Sequence, residues 1–112
     1  MSAKSRVTFA LPLALKNEIH GCVIKDGYGL RGKSKWISEA IEKLLMMKNY
    51  PDLINYNDEM HGFDTMETIT LEHQVKLALE IATLQIRKKY PMTEGVKSRM
   101  LRTATIQRIL RR

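Results

Sequence analysis

Close to its N-terminus the chain reads Arg6-Val7-Thr8-Phe9-Ala10-Leu11-Pro12. Apolar side chains fall at 7, 9 and 11, with Arg6, Thr8 and Ala10 between them. That period of two marks a half-buried strand. Pro12 stops it, because a fixed φ and a missing N–H suit the first turn of a helix. Leu15, Ile19, Cys22 and Val23 follow at helical spacing, which predicts a helix of about four turns. Gly27, Gly29 and Gly32 close that helix with a flexible turn. Ser34 is the expected N-cap of a second helix over 35–47, whose apolar stripe is Ile37, Ala40, Ile41, Leu44 and Leu45.

The same order returns about sixty residues on. In Thr68-Ile69-Thr70-Leu71 the apolar positions again alternate, with Ile69 and Leu71 expected inward and the threonines outward. A helical pattern runs over 72–89 through Val75, Ala78, Leu79, Ala82 and Ile86. Tyr90-Pro91 ends it, since the residue before proline avoids the helical region. Gly95 sits in the turn, and Ser98 is the expected cap of a last helix reaching Leu110. The closing helices align without gaps, Lys33-Ser34-Lys35-Trp36-Ile37-Ser38-Glu39-Ala40 against Lys97-Ser98-Arg99-Met100-Leu101-Arg102-Thr103-Ala104.

The expectation is therefore a mostly α fold with a short two-stranded antiparallel β-ribbon, built as strand–helix–helix repeated twice. The first repeat spans 4–47 and the second 66–111, joined by an acidic linker at 48–65 and sharing one core. A unit of about 45 residues buries too little surface to fold alone, and a lone strand leaves its backbone groups unpaired. Two pairings are open at this point. The strands can pair within one chain, or residues 4–46 can pair with another chain in a homodimer.

Charge is distributed unevenly. Residues 1–48 carry nine Lys/Arg against four acids, 49–66 carry four acids and no Lys/Arg, and 67–112 carry ten Lys/Arg against four acids. Two basic segments thus flank an acidic connector, and the whole chain has a net charge of +7. A basic domain of this size suits a polyphosphate partner, because each neutralised phosphate releases counterions. No stretch approaches the roughly 18 apolar residues that span a bilayer. The N-terminal run has no small-residue cleavage site, and Lys16 and Glu18 interrupt it too early for a secretory signal. Cys22 is the only cysteine, which fits a reducing cytoplasm. His20 and Cys22 have no partners at metal-ligand spacing, so no metal or cofactor is expected. Nucleophile motifs, phosphate-cradling Gly loops and paired carboxylates outside the linker are missing too, so the sequence does not read as an enzyme or as the binder of a small-molecule substrate.

The run RVTFALP, an amphipathic helix, a Gly turn and then GKSKWISEAIEKLL resemble the ribbon–helix–helix (MetJ/Arc-type) DNA-binding family. Residues 4–46 carry the resemblance. Residues 66–110 depart from it, with Glu72 where the proline stands, a longer first helix, and Met66 in the place of Arg6. What the resemblance implies is a ribbon lying in the major groove of double-stranded DNA with its outward side chains on base edges. Here those are Lys4, Arg6 and Thr8 from one strand and Thr68 and Thr70, with Met66 as a further candidate, from the other. The N-termini of the second helices, with Lys33, Ser34 and Lys35 in one half and Lys97, Ser98 and Arg99 in the other, would hold backbone phosphates. The Arg6/Met66 difference would favour an asymmetric half-site over a palindrome. A cytoplasmic, nucleoid-associated transcriptional regulator, acting alone or as a cooperative oligomer on DNA, is the reading this favours. A plasmid conjugation factor at a transfer origin is the alternative, and an antitoxin-type module a weaker one.

Overall fold

The alternation at the N-terminus becomes β1 (Lys4–Leu11), and its copy becomes β2 (Thr65–Glu72). The computed structural model describes residues 4–56 and 62–111. The two strands pair antiparallel within the one chain. Period-two geometry sends alternate side chains to opposite faces. Val7, Phe9, Leu11, Ile69 and Leu71 all point into the core and are buried. The cross-strand pairs on the outer face are Lys4–Glu72, Arg6–Thr70, Thr8–Thr68 and Ala10–Met66.

Among the described residues five helices accompany the strands: α1 (Leu13–Lys25), α2 (Lys33–Leu45), α3 (Tyr50–Tyr56), α4 (His73–Lys89) and α5 (Val96–Leu110). Pro12 caps α1 with φ −65° and ψ 146°, and Glu72 caps α4 with φ −60° and ψ 150°. Glu72 thus adopts the backbone that proline enforces, although its side chain does not require it. Tyr90 stops α4 at φ −131° ahead of Pro91, as the steric clash of a following proline dictates. α2 packs against β2, α5 packs against β1, and α2 and α5 pack on each other behind the ribbon. The apolar stripe of α2 is buried as its spacing requires, with Trp36, Ile37, Ile41 and Leu44 at 1 % exposure or less. Met100, Leu101 and Ala104 of α5 meet it from the other side.

Four expectations change. The connector is not a plain surface link: α3 forms within it, so the order is strand–helix–helix–helix–strand–helix–helix. Ile54 explains why, since it is fully buried and anchors α3 against α4 and α5. Ser34 and Ser98 are not N-caps. α2 starts one residue before Ser34 after Gly32, and α5 starts two before Ser98 after Gly95, whose φ of 60° is the left-handed conformation that glycine tolerates best. Ala78 faces solvent while Thr83 joins Val75, Leu79, Ala82 and Ile86 in the buried stripe of α4. Thr83 can do so because its hydroxyl donates 2.7 Å to the Leu79 carbonyl one turn back. Finally, β2 begins at Thr65, which brings Glu67 onto the inner face.

Candidate nucleic-acid interface

The outer face of the ribbon is left uncovered by the helices, and its residues form two rows. Lys4, Arg6 and Thr8 are exposed on β1. Thr70 and Met66 are exposed on β2, and Thr68 is half-buried between them. At the centre the Thr8 and Thr68 hydroxyls lie 2.9 Å apart across the strands. At one end Lys4 pairs with Glu72 at 3.6 Å, both in solvent, so Glu72 offsets part of the charge there. All five residues expected on base edges therefore share one face, as the period-two reading requires.

Beneath that face lies a group that sequence reading did not single out. Glu67 is 3 % exposed, on the inner side opposite Phe9. Its carboxylate accepts from the Lys33 ammonium and lies 3.1 Å from His20 Nε2. Burial pushes the Glu67 carboxyl up, but the hydrogen bonds and charges of Lys33 and His20 outweigh it and hold the group below its ordinary value. Glu67 shares parity with Ile69 and Leu71, so extending the alternation two residues back would have found it.

Lys33, expected on phosphate, is thus turned toward Glu67 under the ribbon. Ser34, the second residue of α2, accepts a 3.0 Å hydrogen bond from the Thr70 N–H at the outer edge of β2. Lys35 stays exposed. The first N–H groups of α2 have no intrahelical partner, because the first helical bond runs from Trp36 to Gly32. An open groove here is lined by Lys4, Ser34, Lys35 and Thr70, but also by Glu39, Glu42 and Glu72, so its potential is mixed.

The α5 end is built differently. Lys97, Ser98 and Arg99 are all half-buried. Arg99 donates at 3.4 Å to the Asn55 carbonyl near the end of α3, and Thr93 donates at 3.0 Å to the Asn55 side chain. Arg102 is 5 % exposed, donates at 2.9 Å to the Ala10 carbonyl and lies 4.3 Å from the ring centre of Phe63. Asp64 accepts from the Leu13 N–H at 3.1 Å, so the end of the connector caps α1 where Pro12 offers no side-chain cap. Lys16 reaches back to the Met66 carbonyl at 2.9 Å. α3 and the Phe63–Asp64 segment therefore pack at the α5 end of the ribbon, away from the start of α2.

Other basic residues also serve the fold. Arg108 donates to the Trp36 carbonyl at 2.8 Å, to Glu39 at 3.2 Å and to the Tyr28 hydroxyl at 2.7 Å, and it stacks over both aromatic rings. Trp36 packs in the core and donates its indole N–H to Asp26 at 2.8 Å. Among the described residues no group of three or more His, Cys, Asp or Glu is placed to hold a metal ion, and no helix is long and apolar enough to cross a membrane.

Comparison with protein-family models, with curated proteins and with solved structures found no match to this chain.

Proposed function

We propose that this chain is a sequence-specific double-stranded DNA-binding protein, a transcriptional regulator, that inserts the β1–β2 ribbon into the major groove. One observation carries the reading. The ribbon buries the apolar side chains of one face, and on the other it leaves Arg6, Thr8 and Thr70 exposed with Thr68 half-buried among them. A two-stranded ribbon fits a groove roughly 12 Å wide, and Arg and Thr are side chains that can bond base edges there. The net charge of +7 supplies the sequence-independent attraction.

The tandem ribbon–helix–helix reading supports this and is supported in turn by three features. Thr8 and Thr68, sixty residues apart, face each other across the strands. Pro12 and Glu72, also sixty apart, share one backbone conformation. α2 and α5 lie against opposite strands of the ribbon. In this reading α3 is an insertion between the halves, the pseudo-dyad passes between Thr8 and Thr68, and Met66 takes the place of Arg6. One chain then supplies what two identical chains would otherwise share, so the folded monomer carries the whole reading surface.

The test is fluorescence anisotropy of the full chain on duplexes enriched from a random library, across a salt series. Tight binding that weakens steeply with salt, together with a loss of base preference at one position in Arg6→Ala, is the expected result. The cost of that substitution should be about 1–3 kcal/mol. Equal affinity for every duplex, or unchanged preference in Arg6→Ala, would contradict the proposal. A factor at a transfer origin would use the same ribbon, and a genomic footprint separates the two roles by where the sites lie.

A further inference from the structure

The outer face of the ribbon changes chemistry along its length, and the register fixes how. The Arg6–Thr70 pair stands on one side of Thr8–Thr68 and the Ala10–Met66 pair on the other. The first pair offers a guanidinium and a hydroxyl. The second offers a methyl and a thioether, and Met66 is 53 % exposed on the outer row. An exposed methionine inside an otherwise polar row exposes apolar surface, which is unfavourable unless a partner covers it. The two cations nearest that end are engaged by backbone oxygens, Lys16 by the Met66 carbonyl and Arg102 by the Ala10 carbonyl, which leaves the Met66 and Ala10 side chains to set the chemistry of the outer row.

Resting on the major-groove reading proposed above, we infer that Met66 and Ala10 form a thymine-reading end of the ribbon, opposed to a guanine-reading end at Arg6. In the major groove only thymine presents a methyl group, and apolar side chains are what contact it, whereas Arg pairs with guanine O6 and N7. The two pairs are four residues apart along the strand, which is about 14 Å at about 3.4 Å per residue. DNA rises about 3.4 Å per base along one strand, so the guanine and the thymine should lie about four base pairs apart. The target is then directional, and the protein sits on it in one orientation. Met66 is a specificity-determining residue in this scheme, and its neighbour Ala10 is small enough to let the methyl approach.

The experiment selects a consensus duplex with the full chain and then alters single atoms in it. Replacing thymine by deoxyuridine removes only the C5-methyl. At the Met66 end this should weaken binding about fourfold per methyl lost, the scale of one buried methylene, and at the Arg6 end it should change nothing. Replacing guanine by 7-deazaguanine should weaken binding fivefold or more at the Arg6 end alone, at the lower bound for a bidentate pair. Met66→Arg, at an exposed site where folding is not at risk, should make the selected consensus carry guanine in both halves. A palindromic consensus for the unaltered chain overturns the inference while leaving the ribbon reading in place. Insensitivity to deoxyuridine at the Met66 end does the same. No selectable duplex at all overturns both.

Discussion

Thr8 and Thr68 share a 2.9 Å hydroxyl–hydroxyl hydrogen bond at the middle of the ribbon, on the face away from the core. The bond joins the two halves of the chain at the point where their strands cross in register. It also orients both side chains, which leaves their methyl groups and remaining lone pairs to a partner. Thr8→Ala removes the bond and a strand-favouring β-branched residue together. It should lower stability by about 0.5–1 kcal/mol, the usual worth of a cross-strand pair. Urea denaturation checks this, and a double cycle with Thr68→Ala should show the two losses to be less than additive.

Glu67 makes stability depend on acid. Its folded carboxyl titrates below the ordinary 4.5, so the unfolded chain takes up its proton first as pH falls. The stability it contributes is full above about pH 5 and is lost as pH drops through the lower folded value. Glu67→Gln should flatten the fall of stability as pH drops below about 5 and lower stability at pH 7 by about 1–3 kcal/mol, since Lys33 loses its partner. Replacing both, as in Glu67→Val with Lys33→Met, should recover much of that loss, because two apolar groups need no pairing. Guanidinium melts at pH 7 and pH 4 decide it. An unchanged acid slope in Glu67→Gln would show that other carboxylates carry it.

The unequal ends of the ribbon predict unequal roles for matching basic residues. Lys35 is exposed beside the open end of α2, whereas Arg99 is engaged by the Asn55 carbonyl under α3. Lys35→Gln should weaken DNA binding evenly across sequences and reduce the salt slope by about one. Arg99→Gln should act chiefly on stability, by about 1 kcal/mol or more for a lost charged hydrogen bond, with a smaller change in salt slope. Paired salt titrations and thermal melts of the two variants test this. Equal salt slopes would mean that α3 does not shield the α5 end.

Much of the fold was legible because its signals are periodic. The period-two runs at 7–11 and 68–71 gave both strands and their inner faces, and Trp36 through Leu44 gave the buried stripe of α2. What the sequence hid depends on contacts across the chain. α3 is only seven residues long, too short for a periodic apolar stripe to show in its sequence, and the docking of Ile54 holds it as a helix. Ser34 reads as a cap because serine favours helix starts, but the Thr70 N–H on a strand edge 36 residues away takes its hydroxyl instead. Lys33 reads as a surface charge because nothing near it in sequence reveals Glu67 as its partner. At the candidate site, the outward row followed from parity, while the difference between its two flanks came from the connector.

Methylation interference shows whether the outer face of the ribbon reads bases from the major groove. Dimethyl sulfate marks guanine N7 in the major groove and adenine N3 in the minor groove, so one experiment separates the two grooves. On the selected duplex, methylation of one guanine N7 should block binding of the unaltered chain, and Arg6→Ala should lose sensitivity at that guanine alone. Interference confined to adenine N3, or a guanine signal that persists in Arg6→Ala, would contradict that reading.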